Sequence, residues 1–365
     1  YQIEFDITDD IVTSGNPFMY VKRILESKNT EVSYRQLTPE DIPLFDEAKA
    51  KEVAEVLGSL ALRAIQTEEE RQDAISHPER HLPMHWVLTW KPVIPPEPPE
   101  RGKPTTLVKD GSKKAKARVV LLGFRHPDLI KRHPITGQSE LRTAAPTISR
   151  IGRNLLLQCF AFDEHRLESA DAKSAFLQAD NREEPRRIWT TAVPELARAH
   201  NVQPGALLRV LGAIYGLTNA PRIFWKDVDC KLQSLGAIPH PMDRCIWIFK
   251  DPKGKICGRM GSQVDDFLIG GDLSSPHWKK IREQIKALYQ WSPWQSGDFI
   301  YAGCHLRQLA SYTIHVGQEE FCNALRPVEI QNDGSRSEDD PMTAAETSQC
   351  RALIMKAQWR AIQTA

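Results

Sequence analysis

One stretch decides the fold of this chain: Gln263-Val264-Asp265-Asp266-Phe267-Leu268-Ile269. Two adjacent acids interrupt an otherwise apolar strand pattern, which Gly261 precedes and Gly270-Gly271 follows. The pattern predicts a tight hairpin with both carboxylates at its tip. Burying such a pair between apolar flanks is costly without a cation, so the stretch favours a metal-binding or protonation role. The alternative is an exposed Asp-Asp turn, since acids are common in turns.

A third acid strengthens the metal-binding interpretation. Asp171 lies where a short strand pattern ends and a helix or turn begins at Ala175. Together with Asp265 and Asp266 it would supply hard oxygen ligands for Mg²⁺, which binds few carboxylates and keeps waters and substrate phosphates. We therefore expect these three acids to be catalytic and to hold two Mg²⁺ ions, with Mn²⁺ as a substitute, in a two-metal mechanism.

The sequence around these acids alternates between helix and strand patterns. Segment 41–75 has apolar residues at roughly helical period, which predicts a helical N-terminal lobe with Val53, Val56, Leu57, Leu60 and Leu62 as its apolar residues. Strand patterns at 85–90 and 117–124 predict a hairpin with a long connection rich in proline and basic residues.

The remaining patterns complete the predicted architecture. Segment 148–162 predicts a buried helix with Ile148, Ile151, Leu155 and Leu156 on its apolar side. An amphipathic helix is predicted at 278–289, and short strands are predicted at 245–249, 257–269, 299–306 and 312–316. The polar segment 331–340 predicts a surface loop. This order of elements predicts an α+β fold with an antiparallel sheet.

The composition excludes several classes of protein. Hydrophobic residues make up 41% of the chain and charged residues 26%, as is ordinary for soluble globular proteins. The seven cysteines never form a CxxC pair, which argues against a disulfide framework or a zinc knuckle and indicates a reducing compartment. No apolar run reaches the ~18 residues of a membrane span, so we expect no membrane partner. The chain begins without Met and reads as part of a longer polypeptide.

The charge is distributed unevenly. The net charge is only +1, so a nucleic-acid partner would have to bind a local basic surface. Segment 109–132 predicts such a surface, because its basic residues far outnumber Asp110 and Asp128. The basic residues are Lys109, Lys113, Lys114, Lys116, Arg118, Arg125, Lys131 and Arg132.

Six short motifs resemble, in the same order, those of the reverse transcriptases of copia-type LTR retrotransposons. Lys116–Phe124 is similar to the family's K-A-R-L-V-x-x-G-F, Asp171–Leu177 to D-V-K-T/S-A-F-L, and Val264–Asp266 to the Y/H-V-D-D box. The other three motifs resemble x-A-P-V/T, A-L-Y-G-L-x-x-A-P-R and the F-L-G-I of the primer grip, and are Ala144–Thr147, Ala213–Arg222 and Tyr301–Cys304.

The resemblance implies a right-hand polymerase fold with fingers, a palm of antiparallel sheet plus helices, and the start of a thumb. It implies an N-terminal helical extension over 1–80, fingers and palm over 81–310, and thumb with the start of the connection over 311–365. Among the acids, Asp171 and Asp265 would be the principal metal ligands and Asp266 the third.

The resemblance also implies the nucleotide and primer contacts. Lys116 and Arg118 would contact the incoming triphosphate, for which the alternative is a solvated strand face. Phe176 would exclude a ribose 2′-hydroxyl, for which the alternative is a core aromatic. Tyr215 and Gly216 would lie beside the nucleotide and template, with packing at a helix start as the alternative for Tyr215. The expected primer contacts are Gln263 and Gly303.

The implied activity is that of an RNA-directed DNA polymerase, a nucleotidyltransferase that copies an RNA or DNA template from a primer with dNTPs. The implied partners are other regions of a Pol polyprotein, RNase H and integrase, and the implied location is a cytoplasmic particle or the nucleus. Gln263 stands where the family has Tyr or His. This departure leaves open a catalytically silent, retroelement-derived protein that serves as a structural or nucleic-acid-binding subunit of a larger assembly. A metal-dependent nuclease is a third hypothesis, which lacks a candidate general base beside the acids.

Overall fold

The computed structural model describes residues 31–59, 61–92, 108–109, 113–132, 134–135, 137, 139, 141–180, 187–323, 325–330, 337 and 340–364. The helices in chain order are α1 Asp41–Ser59, α2 Glu68–Ser76, α3 Pro127–Ile130, α4 Arg150–Phe162, α5 Ala175–Gln178, α6 Pro194–Ala199, α7 Ala220–Ser234, α8 Pro276–Leu288, α9 Glu319–Asn323 and α10 Ala344–Thr364. The strands are β1 Leu62–Ala64, β2 Met84–Pro92, β3 Val108–Lys109, β4 Lys113–Leu121, β5 Arg166–Asp171, β6 Ile188–Thr191, β7 Leu207–Val210, β8 Ile238–Pro239, β9 Ile246–Lys250, β10 Ile256–Gln263, β11 Asp266–Gly271, β12 Gln295–Ser296, β13 Asp298–Tyr301, β14 Cys304–Gln308 and β15 Ile314–Gly317.

The chain forms two compact units, each built from two separate stretches of sequence. Unit 1 comprises residues 1–143 and 176–223, and unit 2 comprises residues 144–175 and 224–365. Two of the boundaries fall inside α5 and α7. These units are defined by compactness and do not test the predicted functional division into 1–80, 81–310 and 311–365. That division stays a prediction.

Unit 1 contains two three-stranded antiparallel sheets, with strand orders β1-β7-β6 and β2-β4-β3. Alternate residues of β4 are buried, as expected for a strand with one face on a core. Ala115 and Ala117 pack with Leu88 of β2 against Phe45 of α1. The intervening positions of β4, including Lys116 and Arg118, therefore lie on the opposite face of the strand.

Unit 2 is built on a six-stranded antiparallel sheet with strand order β12-β5-β11-β10-β9-β8. Glycines of this sheet provide the space for two helices. A Cβ on Gly270 would overlap the Phe160 ring of α4, and a Cβ on Gly271 would overlap the Trp278 ring of α8. Successive residues of a strand point to opposite faces, so α4 and α8 cover opposite faces of the sheet. A second sheet, with strand order β13-β14-β15, also belongs to this unit.

Most elements predicted from the sequence are confirmed. The predicted N-terminal hairpin is β2 paired with β4 over nine residue pairs, from Met84 opposite Leu121 to Pro92 opposite Lys113. The predicted helices 148–162 and 278–289 are α4 and α8, and the acid hairpin is β10 paired with β11. The overall class, mixed helix and antiparallel sheet, is as predicted.

Three local predictions are wrong. Leu62 lies in β1 rather than in a helix, because it pairs with Val210 of β7. Ile151 and Leu155 of α4 are exposed, with 67% and 58% of their surfaces accessible. The helix carries apolar residues on two sides, and the sheet covers only the side of Leu156 and Phe160. The predicted strand 117–124 ends at Leu121, and residues Gly123–Arg125 form a 3₁₀ turn.

Two predicted loops lie largely outside the described residues. These are the proline-rich connection, of which 93–107 are not described, and most of segment 331–340; Leu60 is also outside. All seven cysteines are free thiols, as their spacing predicts. None of the helices in the described part of the chain combines the length and apolar character needed to cross a membrane.

Candidate active site

The structure of unit 2 brings the three predicted acids to one end of the six-stranded sheet. Asp171 is the last residue of β5 and Asp266 the first residue of β11, and the two are direct partners across these antiparallel strands. Asp265 lies in the turn between β10 and β11, and its carbonyl accepts a hydrogen bond from Ala172 N at 2.9 Å. The predicted positions of these acids, at a strand end and at a hairpin tip, are therefore confirmed.

The turn that carries Asp265 is strained. Val264 and Asp265 connect Gln263 to its partner Asp266, and Val264 has φ of 62°. A β-branched residue rarely adopts this left-handed conformation, which glycine normally occupies in two-residue hairpins. Such outliers cost roughly 1–3 kcal/mol and persist only where the surrounding structure holds them. The sheet thus holds Asp265 at the tip at some expense in backbone energy.

Asp266 is the most enclosed of the three acids. Its Oδ1 accepts a hydrogen bond from Ser169 Oγ at 3.3 Å, and its Oδ2 accepts one from Ala302 N at 3.4 Å. Burial raises the pKa of Asp266 to about 7, and the charges of Asp171 and Asp265 act in the same direction. The three carboxylates repel one another, and a cation bound among them would reduce that repulsion.

Asp171 and Asp265 are exposed, in contrast to Asp266. Asp171 Oδ2 accepts a hydrogen bond from Ser292 Oγ at 3.2 Å, and its carbonyl accepts one from Ser292 N at 2.8 Å. Within the described residues, no group of three or more His, Cys, Asp or Glu side chains is already clustered closely enough to hold a metal ion. The donor set nevertheless fits Mg²⁺, which takes only a few carboxylates and completes its shell with water and phosphate.

The two predicted primer-contacting residues lie close to the acids in unit 2. Gln263 is the cross-strand partner of Asp266. Ala302 and Gly303 form the two-residue turn between β13 and β14, with φ of 48° and 76°. The hydrogen bond from Ala302 N to Asp266 joins this turn to the acid hairpin. The structure therefore brings the predicted primer grip to the predicted metal site.

The predicted nucleotide-binding residues belong to unit 1 and also contact one another. The Arg118 guanidinium lies 4.5 Å from the centroid of the Tyr215 ring, and the Tyr215 and Phe176 rings are 5.3 Å apart. Phe176 and Tyr215 are half-buried and pack on the core of unit 1. Burial, together with the nearby charges of Arg118 and Lys91, lowers the pKa of Lys116 to about 8.

Gly216 has a structural reason to be glycine. It has φ of 88°, and a Cβ at this position would lie 2.0 Å from Leu121 O. Gly123 N donates a hydrogen bond to Gly216 O at 3.2 Å, and Leu121 N donates one to Tyr215 O at 2.9 Å. The backbone of Tyr215-Gly216 therefore continues the hydrogen bonding at the end of β4. Approach to a nucleotide, the role implied for Gly216, stays a prediction.

Sequence reasoning missed Glu52 of α1, which contacts Arg118, one of the predicted nucleotide-binding residues, and its neighbour Val119. Arg118 Nη1 donates to Glu52 Oε2 at 2.5 Å, and Val119 N donates to Glu52 Oε1 at 3.2 Å. The signal was present in the sequence. Glu52 shares a helical stripe with Phe45, Ala48 and Val56, all of which are buried. An acid in an apolar stripe indicates a buried charge with a specific partner.

Comparison with known proteins identifies the family. The model of the family described as reverse transcriptase (RNA-dependent DNA polymerase) matches residues 103–333, well over half of the chain. All the site residues predicted from the sequence lie within that range. No curated protein sequence matches the chain significantly.

Among the solved structures with a weak likeness to the chain is the foamy viral protease-reverse transcriptase dRH in complex with double-stranded DNA. The sequence identity is 14% and the TM-score 0.36, over 82% of this chain and 42% of that one. This chain thus spans less than half of that protein. Because the family model matches residues 103–333, this chain belongs to the reverse transcriptase (RNA-dependent DNA polymerase) family.

Proposed function

We propose that this chain is the polymerase of a copia-type retroelement, which extends a primer on an RNA or DNA template by two-metal-ion nucleotidyl transfer. The observation that carries the proposal is the pairing of Asp171 with Asp266 beside the strained Asp265 turn. This places three carboxylates at the end of two adjacent strands of a sheet. The six motifs that resemble copia-type enzymes support the narrower family.

The acids would divide the work of metal binding. Asp171 and Asp265 are exposed and would be the principal ligands. Both oxygens of Asp266 accept hydrogen bonds, so this carboxylate is oriented by Ser169 and Ala302 and would be the third acid. Two Mg²⁺ ions, or Mn²⁺ in their place, would activate the attacking 3′-oxygen and stabilise the leaving pyrophosphate when bound.

The residues of unit 1 would bind and select the nucleotide. Lys116 and Arg118 would neutralise the triphosphate, since charge-assisted hydrogen bonds to phosphate are strong and arginine binds in a bidentate geometry. With a pKa of about 8, Lys116 is still mostly protonated at neutral pH. The Phe176 ring, held against Tyr215, would occupy the space that a ribose 2′-hydroxyl needs.

The polymerase would work with partners. We propose an RNA or DNA primer-template and dNTPs as its substrates, and Gln263 and Gly303 as contacts to the primer terminus. The joining of the Gly303 turn to Asp266 through Ala302 supports this placement. RNase H and integrase regions of a Pol polyprotein would act with it, in a cytoplasmic particle or in the nucleus.

Primer extension tests the proposal directly. Wild-type protein with primer-template, dNTPs and Mg²⁺ or Mn²⁺ should extend the primer, whereas Asp171→Asn and Asp265→Asn should lose extension while keeping their fold. Asp298→Asn is the matched control, because Asp298 is an exposed acid of unit 2 that pairs with His305. Wild-type protein that binds primer-template but never extends it would instead establish the silent, nucleic-acid-binding subunit.

A further inference from the structure

Glu52 is a buried acid that lies outside the matched range 103–333. Only 2% of its surface is accessible, and both of its oxygens have partners in β4. Glu55, one helical turn further along α1, also approaches Arg118, at 3.7 Å. The N-terminal helix thus directs two acids at one arginine that is predicted to bind nucleotide.

The contact to Val119 explains why the carboxylate is held firmly in place. Beyond the short pairing with β3, one edge of β4 has no strand beside it among the described residues. Glu52 accepts the hydrogen bond of Val119 N on that edge, and Tyr215 O accepts that of Leu121 N. Backbone donors at a strand edge need such partners. Glu52 is therefore anchored to the same strand that carries Arg118.

The anchored carboxylate restricts the guanidinium. Arg118 Nη1 donates to Glu52, and the guanidinium lies over the Tyr215 ring at 4.5 Å. An arginine fork binds phosphate through several donors in a fixed plane, so its orientation decides how well it binds. Burial raises the pKa of Glu52, whereas Arg118 favours its charged form. Moving Arg118 away would leave the buried Glu52 carboxylate without its cationic partner, which is costly.

We propose that Glu52 is a positioning residue, which holds the Arg118 guanidinium against the Tyr215 ring in the orientation that contacts the phosphates of the incoming nucleotide. The proposal rests on the proposed polymerase function. It makes α1 a part of the nucleotide site through the contact of Glu52 with Arg118. The effect of Glu52 on the nucleotide is transmitted through Arg118, while its contact to Val119 N anchors the carboxylate to β4.

The test compares Glu52→Gln with Glu70→Gln. Glu70 is also buried in unit 1 and also pairs with arginines, Arg63 and Arg209, but it contacts none of the predicted site residues. In single-nucleotide incorporation, Glu52→Gln should raise the KM for dNTP about 10-fold, the loss expected when a charge-assisted hydrogen bond is weakened. Its kcat and its affinity for primer-template should change less than twofold. Glu70→Gln should lower stability and leave the KM for dNTP unchanged.

A second measurement separates binding from turnover. The Kd of a dNTP with Mg²⁺, measured on a dideoxy-terminated primer-template, should rise with Glu52→Gln and not with Glu70→Gln. Glu55→Gln keeps the inference testable if Glu52→Gln does not fold, because Glu55 is about a third exposed. It should raise the same Kd by a smaller factor.

The outcomes distinguish the two proposals. An active wild type in which Glu52→Gln and Glu70→Gln have the same KM and Kd for dNTP overturns the positioning role and leaves the polymerase function standing. A wild type that neither binds nor incorporates dNTPs overturns the polymerase function itself.

Discussion

Asp171 and Asp266 are direct partners on adjacent antiparallel strands, so their carboxylates project to the same face of the sheet. Like charges in this position are destabilising by roughly 0.2–1 kcal/mol. The structure therefore holds together groups that repel each other, in the part of the molecule where the family's chemistry is expected. The cation binding proposed for this site would offset that repulsion.

The first prediction concerns this pair. In EDTA at a pH of about 8, above the pKa of about 7 of Asp266, Asp171→Asn should raise the free energy of unfolding by about 0.5 kcal/mol, because one of the two facing charges is removed. Mg²⁺ should stabilise the wild type more than the variant, since a ligand stabilises the state that binds it. Urea unfolding with and without Mg²⁺ measures both effects. Asp298→Asn should respond to Mg²⁺ as the wild type does, and equal Mg²⁺ stabilisation of Asp171→Asn would argue against Asp171 as a ligand.

The second prediction separates backbone strain from close packing. Gly216 and Gly236 both have φ of 88°, but a Cβ on Gly236 would meet nothing within 4 Å, whereas one on Gly216 would overlap Leu121 O. Gly236→Ala should therefore lower the free energy of unfolding only by the cost of placing alanine in the left-handed conformation, roughly 1–2 kcal/mol. Gly216→Ala should lower the free energy of unfolding by a further ~1–3 kcal/mol, because the new Cβ overpacks the site, or the variant should fail to fold. Thermal or urea unfolding of the two variants measures the difference. Equal losses of stability in Gly216→Ala and Gly236→Ala would contradict the observed packing.

The third prediction concerns Glu70, a buried acid of α2 that pairs with Arg63 of β1 and Arg209 of β7. Glu70 accepts hydrogen bonds from Arg63, Gln66 and Arg209. The hydrogen bond from Arg63 is the main cause that lowers the pKa of Glu70 to about 2. A depressed carboxyl pKa stabilises the fold above the unfolded-state pKa of about 4.3, and that contribution is lost as the pH falls towards 2.

Glu70→Gln should therefore cost roughly 1–3 kcal/mol of unfolding free energy at pH 7 and several tenths of a kcal/mol less at pH 4. Urea unfolding at the two pH values measures the difference. Glu68→Gln is the control, because Glu68 is exposed and has the exposed Arg71 and Gln72 as partners. Its effect should stay below ~0.5 kcal/mol at both pH values. A Glu70→Gln loss independent of pH would show that the charge of Glu70 is not what stabilises the fold.

The fourth prediction tests Phe176 as a selector of sugars. Phe176→Val should raise the kcat/KM for an rNTP relative to the matching dNTP by about 10- to 100-fold, because space opens where the ring stood. Single-nucleotide incorporation with both substrates gives the ratio. Phe176→Tyr keeps the ring and should keep the selectivity. An unchanged ratio in Phe176→Val, accompanied by lower stability, would assign Phe176 to the core of unit 1 alone.

The local features of the site could be predicted from the sequence because they depend on short periodicities. The hairpin of β10 and β11 follows from apolar residues on either side of Asp265-Asp266, and β2 and β4 follow from their β-branched and aromatic runs. Asp171 at a strand end follows from the change of pattern before Ala175. A period of two residues is readable within one segment, without knowledge of its neighbours.

Other features could not be predicted, because they depend on which segments meet. The side of α4 that is buried was set by the sheet beneath Leu156 and Phe160, so Ile151 and Leu155 are exposed despite being equally apolar. Leu62 became a strand residue because Val210, far along the chain, pairs with it. Local propensity is weak compared with such tertiary contacts.

The sequence by itself determined the carboxylates of the site, the family of the chain and the strands that carry the acids. Only the tertiary structure decided that Asp266 faces Asp171, that Ala302 N binds Asp266, and that Glu52 holds Arg118. The physical reason is that residue type and short-range period are encoded along the chain. The partner of a buried charge is selected instead by the packing of distant segments, where an unpaired charge would be too costly.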